Sequence, residues 1–380
     1  MIPLTIIISA YNRLHSLATL LGSMKRLDCS QKVNLVISVD NKGTEAVNSL
    51  AKSFQWHLGE KEVIVHQEKL GLINHFIWIG DQTEKYDHVL FLEDDMFVSP
   101  MILEYAFQVI PKYEDDDRVA GCSLYNPLFC LSGIAFDKVC DGYDNFFFQH
   151  PYWGNIWYKK KWEQFKEYLV NYKCKDDLLP LAVQTWRSGS FKKIFIQYLI
   201  EKNRTIVFPK TSLLTNMGEP GLHSNNKLEF VQVPFELNNT TKKYYFSTFD
   251  ESLCIYDAFE EYDTSLIKKY NPQLQNYNFV LDTKLNRNSY SSEYVLTTRQ
   301  VNNALLTFSS GMKPFENNLI LNVPGAGISL GKSENVLVAA SDESRILDQS
   351  IRSHFCIKIS TIMKYELKNI LRQAFYKSQK

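Results

Sequence analysis

Apolar residues in the first hundred positions follow two alternating rhythms. Nearly continuous apolar runs at residues 4–9, 33–39, 62–66 and 89–92 read as strands buried on both faces. Between them, residues 15–26, 44–54 and 73–83 carry apolar side chains at helical spacing, with Leu17, Leu20, Leu21 and Met24 on the inward face of the first. Strands alternating with helices of about ten residues predict an α/β fold, a mostly parallel sheet with helices on both faces. Each run stops at polar residues: Ala10, Tyr11, Asn12 and Arg13 after the first, Asp40-Asn41-Lys42-Gly43 after the second, Glu93-Asp94-Asp95 after the fourth. In such a sheet these carboxyl ends line one crevice, where ligands bind.

The acidic end is the sharpest feature. Three carboxylates in a partly dry crevice repel one another by on the order of 1 kcal/mol or more per close pair, and a divalent cation would neutralise them. The alternative is a solvated acidic turn. Ser99 can cap a helix with Pro100 at its first position, and Leu103, Phe107 and Ile110 carry it to about Tyr113, so the acids are expected in a strand-to-helix crevice. No Gly-x-Gly-x-x-Gly follows the first strand and no Gly-x-x-x-x-Gly-Lys-Ser/Thr occurs, so phosphates would need a metal and side chains. A nucleotide crevice of Arg13, Asp40 and the acids is coherent on those terms. Asp40 has a second reading, as the cap of the helix near Thr44, and Arg13 as the partner of a surface carboxylate.

Composition narrows the classes. With 380 residues there is room for two domains or for one domain and an extension. The 42 basic residues match the 42 acidic ones, so no overall field favours nucleic acid as a partner. The 21 Tyr and 24 Phe leave aromatic surface for a flat ligand such as a base or sugar. Seven scattered cysteines without a Cys-x-x-Cys pair indicate neither a zinc knuckle nor a disulfide framework and fit a cytoplasmic setting. No signal peptide is visible, and no apolar run reaches the roughly 20 residues of a transmembrane helix.

An ordered series of motifs then becomes informative: Ser9-Ala10-Tyr11-Asn12-Arg13, Ser38-Val39-Asp40, Gly71-Leu72 with Asn74-His75, Leu92-Glu93-Asp94-Asp95, Ser123-Leu124-Tyr125-Asn126, Tyr152-Trp153-Gly154 with Trp157 and Trp162, and Phe208-Pro209-Lys210 with Asn216 and Gly218. Over residues 3–225 this series resembles the N-acetylglucosaminyltransferase I-like family of GT-A glycosyltransferases, including its bacterial members from polysaccharide gene clusters. The resemblance implies a hexosyl- or N-acetylhexosaminyltransferase with a nucleotide-sugar donor, usually a UDP-sugar, Mn2+ or Mg2+, inversion at the anomeric carbon, and a glycan or lipid-linked acceptor. By position it implies Asp95 as the direct metal ligand, Asp94 as a ribose or second-shell contact, Glu93 as a donor-sugar contact and Asp40 at the uracil. Ala10, Tyr11, Asn12, Arg13 and Asn74 fall around the nucleotide loop.

Tyr152, Trp153 and Gly154 are expected at the donor, since a glycine between aromatics admits a ligand to the backbone and a Trp face suits sugar C–H surfaces, while Trp157 and Trp162 read as core residues of a helix. The loop over 215–224, with Gly218 and Gly221 around Pro220, can close over a donor, and His223 is a candidate second metal ligand or phosphate contact. One family element is displaced. The family places an Asp base 16 or 17 residues before the Pro of its Phe-Pro-Lys strand, and here that count lands on Lys192 and Lys193, with no acid in 187–193. Candidate bases are Glu219 in the closing loop and, upstream, Asp176 and Asp177. A catalytically silent homologue that binds nucleotide-sugar or glycan as a partner subunit is therefore a competing reading. A nucleotidyltransferase is a third, lacking the Gly-rich basic loop such enzymes place after the first strand.

The expected division is a GT-A domain at 1–228, a connecting region at 229–292 and an extension of mixed structure at 293–380. Within it, 252–262 suggests a helix, 271–292 a loop or linker, and 295–338 short strands. Near the end, Met363, Leu367, Ile370, Leu371, Ala374 and Phe375 recur at helical spacing among Lys364, Lys368, Arg372, Lys377 and Lys380. That composition suits either peripheral contact with the inner face of a membrane or a helix packed on the protein's own core.

Overall fold

The computed structural model describes residues 2–219, 231–238 and 240–338. The chain divides into two compact units, Met1–Pro127 with Lys138–Leu266, and Leu128–Asp137 with Ile267–Lys380. The first unit opens with β1 (Leu4–Ala10), α1 (Leu14–Met24), β2 (Val33–Val39), α2 (Glu45–Ser53), β3 (Lys61–Val65), α3 (Gly71–Asp81), α4 (Thr83–Tyr86) and β4 (His88–Glu93). It continues through β5 (Met96–Val98), α5 (Ile102–Tyr113), β6 (Val119–Ser123), β7 (Asn145–Phe148), β8 (Asn155–Tyr158) and α6 (Lys159–Val170). It closes with α7 (Leu181–Gln184), α8 (Phe191–Glu201), β9 (Thr205–Pro209), β10 (Leu214–Asn216) and β11 (Ile255–Tyr256), after which α9 (Thr264–Tyr270) runs across the division between units.

Nine strands form one sheet in the order β11-β7-β9-β6-β8-β4-β1-β2-β3. The pairs among β3, β2, β1 and β4 are all parallel, as the alternation of elements requires, and β8 enters antiparallel between β4 and β6. This is the expected α/β architecture, a mostly parallel sheet flanked by helices. The all-apolar runs are explained by burial: Ile6, Ile7, Ile8, Leu35, Ile37, Val89 and Leu90 are fully shielded, and Leu17, Leu20, Leu21 and Met24 of α1 pack inward. Thr44 accepts a hydrogen bond from Val47 N at 3.2 Å, so α2 has its own cap and does not need Asp40.

Three local expectations change in this unit. The acids do not lead straight into a helix: a tight turn at Asp94 and Asp95 feeds β5, which pairs antiparallel with β10, and α5 begins only at Ile102. Ser99 still accepts from Met101 N at 3.0 Å. Trp157 lies on strand β8 rather than on a helix, though it is buried as expected, and Trp162 of α6 is buried beside it, ring centroids 5.5 Å apart. The aromatic stretch at 252–262 is no helix, because Ile255 and Tyr256 pair with Phe147 and Phe148 at the sheet edge.

In the second unit, β12 (Phe279–Asp282), β13 (Tyr294–Thr297), β15 (Leu306–Phe308) and β16 (Ile328–Lys332) form a sheet in the order β12-β13-β16-β15. Between and after them come β14 (Gln300–Val301), α10 (Glu316–Ile320) and β17 (Val336–Leu337). Part of the segment read as a linker is therefore a buried strand, with Phe279 and Leu281 in the core. Among the described residues no helix is long and apolar enough to cross a membrane. The basic amphipathic segment at 363–375 lies outside the described residues.

Candidate functional site

Sheet register assembles the site. In the parallel ladders Ser9 stands opposite Glu93 and Ala10 opposite Val39, so the chain leaves β1, β2 and β4 at one edge with Tyr11 to Arg13, Asp40, and Asp94 with Asp95. Arg13, at the start of α1, reaches across to the acids. Its Nη1 donates to Asp95 Oδ2 at 2.8 Å and its Nη2 pairs with Asp94 Oδ1. The partner of Arg13 is thus the acid cluster and not a surface carboxylate.

Asp95 is fixed from the other side by the pairing of β5 with β10. Asn216 Nδ2 donates to Asp95 Oδ1 at 3.3 Å, and Met217 N donates to the Asp95 carbonyl at 2.8 Å. Gly218, with φ +64°, donates its N–H to Asn216 Oδ1 at 2.7 Å, so the loop that carries half-buried Glu219 starts against Asp95. Asp176 and Asp177 are not joined to this cluster. Both are exposed, and Asp176 pairs with Lys193 at 2.7 Å, so the buried lysine of α8 engages an acid away from the acid run. His223 lies outside the described residues.

The other α8 lysine turns to the acids. Lys192 Nζ sits 4.2 Å from the centre of the Trp153 ring, in the field of Glu93 and Asp95. Burial pushes the Glu93 carboxyl up to about 7, with Lys192 opposing and Asp95 adding to the shift. Asp94 is likewise pushed up to about 6 by burial, against the pull of Arg13. Three carboxylates therefore face two cations of the chain's own, which sequence reasoning did not foresee; the only signal was that the count for the family's base landed on lysines.

Trp153 belongs to an aromatic wall. Tyr125 meets it edge-on at 4.8 Å, Tyr152 stacks on Tyr125 at 5.5 Å, and buried His150 lies 4.4 Å from Tyr152. Burial, reinforced by Lys192, drives the His150 imidazole down to about 3 and keeps it neutral. Gly154 has a reason of its own: its φ is +66°, and the volume a Cβ would need is taken by Leu214 and Leu124, so packing demands glycine there.

At the β2 end, Asp40 is 9% exposed and accepts from Leu70 N at 2.7 Å and Gly71 N at 3.1 Å. It caps the approach to α3, one helix later than the alternative reading expected. Asn41 Nδ2 donates to Tyr11 Oη at 3.1 Å, while Asn12 is exposed and Asn74, also exposed, donates to Leu70 O at 3.1 Å.

A divalent ion fits part of this donor set. Hard cations take carboxylate oxygens and leave several positions to water and substrate phosphates, and among the described residues Asp95 Oδ1 has only the long contact from Asn216. Asp95 Oδ2 is held by Arg13, and among the described residues no group of three His, Cys, Asp or Glu side chains could hold a metal alone.

No family model matches the chain, and no curated protein does. Among solved structures it is similar to S. aureus TarS 1-349 in complex with UDP-GlcNAc, at 13% identity and TM-score 0.37, over 58% of this chain and 60% of that one. It is similar to S. aureus TarS at 12% identity and TM-score 0.36, over 56% and 36%. It is also similar to the mannosyltransferase PcManGT from Pyrobaculum calidifontis in complex with GDP-Man and Mn2+, at 14% identity and TM-score 0.31, over 45% and 47%. The chain spans less than two thirds of the length of each.

Proposed function

We propose that this chain is a glycosyltransferase that moves a sugar from a nucleotide donor, UDP-linked by the motif resemblance, to a glycan or lipid-linked acceptor with inversion. The observation that carries the reading is the convergence of Arg13, Glu93, Asp94, Asp95 and Lys192 at the carboxyl edge of a mostly parallel sheet, beside an aromatic wall. Three carboxylates against two cations leave one formal negative charge, and a diphosphate brings at least two more. A divalent ion at Asp95 would offset two of those three negative charges and stabilise the charge that builds on the leaving nucleotide. Asp40 would accept from the base, and the Trp153 face would carry the sugar. Glu219, whose loop starts against Asp95, is the acid best placed to take the acceptor hydroxyl proton.

The reading of a silent donor-binding homologue rests on one observation: α8 presents Lys192 where the resemblance calls for an acid, and Asp176 and Asp177 are not at the cluster. A screen for hydrolysis and binding of nucleotide-sugars, run in Mn2+, in Mg2+ and in chelator, separates the two. Turnover of a donor establishes the enzyme; binding without turnover in the presence of extracts containing acceptor supports the silent homologue; no binding of any donor ends both. Asp95→Asn with unchanged metal dependence would remove the ion from Asp95.

A further inference from the structure

Lys192 is an unusual place to keep a charge. Its stem rises from the first turn of α8 and its ammonium lies 4.2 Å from the centre of the Trp153 ring. A cation over an indole is held by the ring's quadrupole, an attraction that uses none of its N–H donors. Among the described residues Lys192 makes no hydrogen bond and no ion pair, so all three donors remain available. The neighbouring Lys193 shows the contrast: it donates to the carbonyls of Gln184 and Trp186 and pairs with Asp176, the pattern of a lysine whose work is structural. Burial pulls the Lys192 ammonium below its ordinary value, and Glu93 and Asp95 oppose that shift by attracting it without closing on it. A lysine half-buried as a residue, its ammonium held over a ring near two acids and with unfilled donors, is a site for an anion.

Resting on the donor reading above, we propose that Lys192 is a diphosphate-binding residue of this site, a resident cation that shares with the divalent ion the charge of the bound and departing nucleotide. Trp153 is then the platform that aims it. Glu93 and Asp95 hold it near the crevice until phosphate oxygens, the stronger partners, fill its donors. Its position explains why an acid is missing from this turn of α8: a carboxylate there would face the diphosphate and repel it. The chain gains a fixed positive charge, so nucleotide affinity depends on metal by degree and is not abolished without it.

The test is calorimetry of UDP and of uridine against the full chain, in Mn2+ and in chelator, for the parent protein, Lys192→Met and Lys192→Arg. Loss of charge-assisted hydrogen bonds should weaken UDP binding by about 10- to 100-fold in Lys192→Met, leave uridine unchanged, and make the residual UDP binding strictly metal-dependent. Lys192→Arg should recover most of the loss. Melting curves control for folding, since a merely structural lysine would lower stability while leaving the ratio of UDP to uridine affinity unchanged, and that result overturns the proposal. Equal UDP affinity for the parent and Lys192→Met in both conditions overturns it too, with the donor reading intact. If the parent binds UDP in neither condition, the UDP-donor reading itself falls and takes this one with it.

Discussion

Arg13 Nη1 stands 2.8 Å from Asp95 Oδ2, joining the end of β1 to the acid run that follows β4. The side chains of Asp94 and Asp95 are 5% and 12% exposed, and that of Arg13 26%, so the contact is only thinly screened by water. Removing one member of a buried pair leaves the other charge uncompensated. Arg13→Gln should therefore destabilise the first unit by roughly 3 kcal/mol. The same change frees Asp95 Oδ2, so Mn2+ should raise the melting temperature of Arg13→Gln by more than it raises that of the parent. An identical metal response in both would show that Arg13 and the ion do not share a ligand.

Asp40 offers a second measurement because it carries a structural load whatever else it binds. It accepts from Leu70 N and Gly71 N, and Thr44 does the equivalent for α2. Asp40→Ala should lower stability by about 1–2 kcal/mol, and Thr44→Ala by about 1 kcal/mol, read from urea midpoints. Only the first should also weaken uridine binding, since each carboxylate oxygen retains a lone pair for a base N–H. Equal uridine affinity in the two variants would confine Asp40 to capping.

These two residues mark how far the chain could be read. Strands β1, β2 and β4 are shielded on both faces, so their positions are nearly all apolar, and the polar residues that follow them had to meet at one edge. Local pattern carried that much. It did not carry Lys192, because which way a lysine on the first turn of α8 points depends on packing against β8 and the aromatic wall. Ile255 and Tyr256 were illegible for the same reason: two residues have no period, and only pairing with Phe147 and Phe148 makes them a strand. Tyr262, counted toward a helix, instead donates its hydroxyl to Leu253 O at 2.7 Å. β5 is three residues long, so its turn-back behind the acids leaves no alternation to detect.

The raised carboxyls give the free protein a distinctive pH profile. Unfolded, Glu93 and Asp94 lose their protons at their ordinary values of 4.5 and 3.8, whereas in the fold they hold them to about 7 and about 6. Between those limits the folded chain binds more protons, so raising the pH favours the unfolded one. These values already carry the opposing pull of Lys192 and Arg13, and at about 1.4 kcal/mol per pH unit the loss of stability from pH 5 to pH 8 should be on the order of 4 kcal/mol for the two together. Glu93→Gln removes the larger contribution: its melting temperature should exceed that of the parent at pH 8 and vary less from pH 5 to pH 8. A parent protein that grows more stable over that range contradicts the burial of these groups.

The second unit can be probed at its own buried pair. Arg299 Nε lies 2.9 Å from Asp282 Oδ2, with side chains 3% and 0% exposed, and Tyr290 Oη donates to the same carboxylate oxygen at 2.7 Å. Asp282 ends β12 and Arg299 follows β13, so the pair ties together the strands that make this sheet parallel at its edge. Arg299→Met leaves the Asp282 carboxylate buried with one phenol hydroxyl, and should cost about 3–5 kcal/mol in the denaturation of this unit. Asp282→Leu alone takes away the carboxylate that faces Arg299 Nε and should cost a similar amount. The double variant Asp282→Leu with Arg299→Met removes both charges and leaves an apolar contact, so it should recover at least half of either loss. Chemical denaturation of the four proteins gives the coupling directly. If the double variant loses the sum of the two single losses, the pair is not coupled and the sheet is held by its apolar core alone.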